Sequence, residues 1–117
     1  MASRSYKDLI VWQKAIELVK LVYLLTTNFP KSEIFGLTSQ MRRCAVSIAS
    51  NIAEGSKRRT KKDFNQFLLI AYGSGAELET QLLISTELKF INDKEAGPAS
   101  NTLGEIMKML NKMTSVL

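Results

Sequence analysis

The chain of 117 residues has no histidine, one cysteine, two prolines, six glycines and no long apolar run. Each scarcity excludes something. Without histidine, the commonest general base and the commonest transition-metal ligand are both missing. The lone Cys44 has no intrachain partner for a disulfide, and its place in an apolar helical pattern reads as a small buried hydrophobe. Residues Met1 to Asp8 lack the apolar core of a signal peptide. Nothing approaches the ~20 apolar residues needed to cross a bilayer. A cytoplasmic protein without membrane contact is therefore expected. Few prolines and glycines leave long stretches free to be helical.

What is present is helical rhythm. At 45% hydrophobic residues the chain can build a core, and its length suits one domain. The spacing predicts a first helix over about 8–27. Leu9, Trp12, Ile16, Val19 and Tyr23 recur at steps of three and four, with Val11, Ala15, Leu18, Val22 and Leu25 beside them. Two stripes make a face too wide for one neighbour, so this helix is either central to its bundle or shared with a subunit interface. Pro30 ends it, and Phe29 and Phe35 are expected to pin the following connection onto the bundle. A second helix, about 38–56, carries Leu37, Met41, Cys44, Ala45, Ile48 and Ile52 among small residues that allow close packing. Asn51 falls beside that seam and is expected to be a polar clamp between helices, because an unpaired buried amide costs ~1–3 kcal/mol.

A third helix, about 61–90, opens with a capping pattern at Thr60 and Asp63. Its phase continues through Gly73-Ser74-Gly75, which argues for an unbroken helix closely crossed by a neighbour. A fourth helix, about 97–116, starts near Pro98 and is striped by Leu103, Ile106, Leu110, Met113 and Leu117. No strand-like alternation occurs. The expected fold is all-α: an up-down antiparallel four-helix bundle forming a single domain over 1–117.

Several runs together resemble the four-helix-bundle family of proteins encoded in intervening sequences of bacterial large-subunit ribosomal RNA genes. The matching stretches are Leu9–Gln13, Phe29-Pro30, Glu33–Leu37, Gln40–Ile48, Asn51–Gly55 and Ala71–Ser74 with Glu77-Leu78-Glu79. The run from Ser47 to Gly55 is the most specific, and the match covers roughly residues 6 to 91. Cys44 and Ala49 stand where other members more often have Ala and Pro. The resemblance implies a bundle that assembles into a homo-oligomeric ring, typically a pentamer. It is similar in fold to an accessory protein of diversity-generating retroelements, which works with a reverse transcriptase and nucleic acid.

Charge supplies the functional expectation. Net charge is +5, and seven of the sixteen basic residues lie between positions 42 and 62: Arg42, Arg43, Lys57, Arg58, Arg59, Lys61 and Lys62. Only Glu54 opposes them in that window. A ring repeating this basic turn would concentrate positive potential at one rim and suit RNA or DNA, read largely through the phosphate backbone. The alternative is a structural or adaptor ring whose partner is a protein. Catalysis is not expected, and neither is a cofactor or metal. Glu54, Glu77 and Glu79 could be imagined as metal ligands, but di-iron bundles use Glu-x-x-His pairs and Glu77 and Glu79 point to different helix faces. Gly73-Ser74-Gly75 lacks the lysine and spacing of a phosphate-binding loop. Asn51, Glu54 and Glu77 are assigned instead to a structural polar clamp, with Glu54 and Glu77 partnering Arg42, Arg43 or Asn51 within or between subunits.

Overall fold

The computed structural model describes residues 5–116; Leu117, expected to finish the last apolar stripe, lies outside them, as does the start of the N-terminal segment. Four helices carry the fold: α1 (Ile10–Thr26), α2 (Leu37–Ser56), α3 (Lys61–Glu87) and α4 (Asp93–Val116). Short 3₁₀ turns precede α1 and α2 at Tyr6–Asp8 and Lys31–Glu33. There is no strand among the described residues. Around the bundle the neighbours run α1–α2–α3–α4 and back to α1. The result is a prism of 49 × 23 × 22 Å.

Antiparallel order is fixed by pairs along the α2–α3 seam. Ser85 faces Met41, Ser74 faces Ser47, and Gly55 meets Phe64 and Phe67. The core runs through Leu18, Met41, Ile48, Ile52, Leu68, Leu78, Leu103, Ile106 and Leu110, all sealed from solvent. At ~25 cal/mol per Å² of apolar area removed from water, this interior is the main favourable term. Of the two stripes on α1, Val11, Ala15, Leu18 and Val22 enter the core. Trp12, Ile16, Val19 and Tyr23 stay half-buried or exposed along the side shared with α2.

Helix ends follow local chemistry. Thr60 Oγ1 accepts from the Asp63 amide at 3.1 Å and opens α3 as its sequence suggests. Helix α4 begins at Asp93, four residues before the expected start. Asn92 Oδ1 accepts the Glu95 amide at 2.8 Å while Glu95 Oε1 accepts the Asn92 amide at 2.9 Å. This reciprocal cap outweighs Pro98, which sits inside the first two turns on the exposed surface. Helix α3 stops at Glu87 rather than near 90. Lys89 takes φ 63°, the Phe90 amide bonds Ser85 O, and the Lys89 amide bonds Thr86 O. That is a Schellman closure with lysine in the position usually given to glycine.

The glycines of α3 behave unequally. The helix is continuous through them. A Cβ at Gly75 would collide with the Met107 sulfur of α4, whereas Gly73 has open space. The close crossing is thus at Gly75 alone, and it is a side chain rather than a backbone that fills it. From sequence, Phe29 and Phe35 both pin the α1–α2 connection. In the structure only Phe29 does: it is buried against Phe90 with ring centroids 5.6 Å apart. Phe35 is 93% exposed, because the 3₁₀ turn ahead of α2 points its side chain away from the core.

Candidate nucleic-acid interface

The α2–α3 turn is short because α2 continues to Ser56 and α3 begins at Lys61. Five cations are therefore carried on one corner of the bundle, all exposed. Their surroundings differ. Arg58 Nη2 meets Glu54 Oε2 at 2.8 Å, one helical turn back, and its guanidinium lies 4.6 Å from the Phe67 ring centroid. Lys57 Nζ lies 5.7 Å from the centre of the Tyr6 ring. Arg59, Lys61 and Lys62 make no ion pair among the described residues. These three are free to meet an anion without giving up an internal contact.

Arg42 and Arg43 belong elsewhere. Fourteen residues of helix separate Arg43 from Lys57, roughly 21 Å at 1.5 Å per residue. Arg42 Nε donates to Thr26 Oγ1 at 2.9 Å and its guanidinium lies 4.4 Å from the Tyr23 ring centroid. It ties α1 to α2 and is half-buried. Arg43 is exposed at the edge of a groove of about 340 Å³ between α2 and α3. The seven basic residues grouped in sequence thus divide into a terminal cluster of five and a mid-bundle pair.

The expected polar clamp is also rearranged. Asn51 Nδ2 donates to Ser47 O at 2.8 Å and Ser47 Oγ at 3.0 Å, both on its own helix. The bond that spans helices is Ser47 Oγ to Ser74 Oγ at 2.9 Å. Asn51 therefore orients the clamp without crossing to α3, since a short amide at that pitch reaches one turn back more easily than across the seam. Glu54 turns outward to Arg58 and takes no part. Glu77 makes no ion pair among the described residues, although Arg43 lines the same groove; the Cys44 thiol lies 3.9 Å from its carboxylate.

Cys44 is buried and unpaired. Burial pushes its thiol pKa up, reinforced by the nearby Glu77 carboxylate, so it holds its proton at neutral pH. Beside it, Gln81 is 8% exposed and its Oε1 has no hydrogen-bond partner among the described residues. No group of three or more potential metal ligands occurs among the described residues. No described helix is long and apolar enough to cross a membrane. Sequence reasoning overlooked Phe35 as a surface feature and Gln81 altogether. A glutamine at a core position of α3 was the available signal for the second.

Similarity to known proteins agrees with this architecture. No curated protein matches the sequence. A solved structure from Bacteroides thetaiotaomicron VPI-5482, described as a protein of unknown function from the S23 ribosomal protein family, superposes with a TM-score of 0.81. It is 25% identical, and the match covers 90% of this chain and 98% of that one. The family model described as 23S rRNA-intervening sequence protein matches residues 7–112. Spanning all four helices, that match shows that the chain belongs to the 23S rRNA-intervening sequence protein family.

Proposed function

We propose that this chain is a non-enzymatic, oligomeric nucleic-acid-binding protein that holds RNA or DNA mainly through backbone phosphates. The observation that carries the reading is the cation cluster at the α2–α3 turn, where Arg59, Lys61 and Lys62 stand exposed and make no ion pair among the described residues. Only Glu54 and Asp63 offset it locally, and Glu54 is already matched by Arg58. Several copies side by side would multiply the cluster at one rim, and clustered positive charge raises local polyanion concentration. The family name ties its members to 23S rRNA intervening sequences, which makes structured RNA the first ligand to test. The cytoplasm is the matching compartment.

A mobility-shift titration with RNA and DNA across salt is the direct test. Each phosphate contact contributes about 0.7–0.9 to the slope of log K against log salt, so Lys61→Glu with Lys62→Glu should flatten it by roughly 1.4–1.8. Absence of binding at low salt, or unchanged binding by the charge-reversed variant, refutes the reading. A second reading, an adaptor ring holding a protein partner, is favoured by one specific observation: Phe35 and Ile34 project from the bundle at 93% and 57% exposure. Partner retention from cells after nuclease treatment separates the two.

A further inference from the structure

The cations of the α2–α3 turn share their corner with an aromatic ring. The 3₁₀ turn Tyr6–Asp8 packs against α2 and brings the Tyr6 ring beneath Lys57. Tyr6 is half-buried, 5.3 Å from the Trp12 ring in an edge-to-face contact at 71°, and is not one of the core side chains. The turn that carries it is fixed by its own hydrogen bonds. Ser5 Oγ accepts the Lys7 amide at 3.2 Å, Asp8 Oδ2 accepts the Ser5 amide at 3.3 Å, and Gln13 Nε2 donates to Lys7 O at 2.9 Å. Lys7 adds an exposed cation that makes no ion pair among the described residues.

Two rings at this corner sit under cations, and the two cations are held differently. Arg58 covers Phe67 and is also tied to Glu54 at 2.8 Å. Lys57 covers Tyr6 at 5.7 Å, near the outer limit of about 6 Å for such a contact, and makes no ion pair among the described residues. A flexible ammonium held only by a ring leaves it readily for the full negative charge of a phosphate. The Tyr6 face it uncovers is then a platform for a nucleobase. Such stacking tolerates any sequence, because every base has a π-face.

Resting on the nucleic-acid reading above, we infer that this corner takes unpaired nucleotides: a base stacks on Tyr6 while Lys57 swings to the adjoining phosphate. From Lys57 to Lys61 the chain spans at most about 14 Å, so the same strand runs on past Arg59, Lys61 and Lys62. These cations grip the backbone of any nucleic acid. Tyr6 adds the preference, since inside a duplex both faces of each base are already stacked and only phosphates are offered to the corner. The ligand class is therefore a single strand or an unpaired loop, held without base-specific contacts.

Anisotropy titrations of the full chain test this, with a labelled single-stranded RNA lacking self-complementarity and with a fully paired RNA duplex long enough that its ends are few. Tyr6→Leu keeps an apolar side chain against Trp12 and removes the flat face. It should weaken single-strand binding roughly five- to a hundred-fold, leave duplex binding within about twofold, and leave both salt slopes unchanged. Tyr6→Phe should bind the single strand as wild type does, because the ring and not the hydroxyl stacks. Trp12, the chain's one tryptophan and the neighbour of Tyr6, should change its emission with the single strand and not with the duplex. Equal effects of Tyr6→Leu on both ligands, or none on either, overturn this inference and leave the phosphate reading standing. Failure of wild type to bind either RNA at low salt overturns both. Should Tyr6→Leu lose helical circular dichroism, the wild-type Trp12 response decides: an equal change with the duplex refutes the stacking.

Discussion

One substitution, glycine to alanine, should give three different answers in this bundle. At Gly55 the new methyl would stand 2.7 Å from Phe67 Cβ and 3.0 Å from the Phe64 ring, in the last turn of α2. Neither neighbour is a flexible tip: one is a Cβ fixed to the α3 backbone. Overpacking of this kind costs about 1–3 kcal/mol. The helix-propensity gain of up to about 1 kcal/mol is muted at a helix end. The net loss should be about 1–2 kcal/mol. At Gly104, in mid-α4, nothing lies within 4 Å of the added methyl, and the full propensity gain of about 1 kcal/mol should appear. At Gly75 the obstacle is the thioether of Met107, a side chain able to move, so loss and gain should cancel to within about 1 kcal/mol. For a domain near this size, 1 kcal/mol shifts Tm by roughly 3–6 °C. Thermal melts by circular dichroism at one fixed protein concentration can therefore order the series Gly104→Ala, wild type and Gly75→Ala together, then Gly55→Ala. If Gly55→Ala melts at or above wild type, the tight α2–α3 crossing is not what holds that helix end.

Lys89→Gly should stabilise the chain by about 1 kcal/mol, because Lys89 occupies the left-handed region at φ 63° and glycine removes the Cβ strain; denaturant midpoints report this. Met41→Ala empties a fully buried position and should destabilise by about 2–5 kcal/mol in the same assay. The Cys44 thiol should resist alkylation at neutral pH in the folded chain and react on unfolding. Its raised pKa also gives a sign: the unfolded thiol loses its proton first, so stability should fall as pH rises above about 8.5, and Cys44→Ala should remove that component. A pH series of denaturant melts on both proteins checks it.

How far the sequence could be read depended on whether a local rule or a spatial neighbour decided each residue. The Thr60 cap and the phase of α3 through its glycines are local and were legible. The start of α4 was local too: Asn92 and Glu95 spell a capping box, but Pro98 is the louder signal and masks it. Phe29 and Phe35 show the limit. Both are large and apolar in one connection, yet only the placement of Phe90 decides that Phe29 is buried and Phe35 is not. Asn51 likewise could bond along its own helix or across the seam, and the distance to α3 settles it for Ser47.

The sequence by itself determined the helices, the core stripe of each and the family, since these follow from periodicity, capping and contiguous motifs. Tertiary structure alone decided how the charges divide. Residues 42 to 62 read as one basic region, but a helix rises 1.5 Å per residue and carries Arg42 and Arg43 about 20 Å from the turn. It also paired Arg58 with Glu54, bound Arg42 to Tyr23 and Thr26, set the Cys44 thiol against Glu77, and left Gln81 Oε1 without a hydrogen-bond partner among the described residues. Those outcomes depend on which helices become neighbours. Proximity across a bundle is a property of packing that no spacing along the chain records.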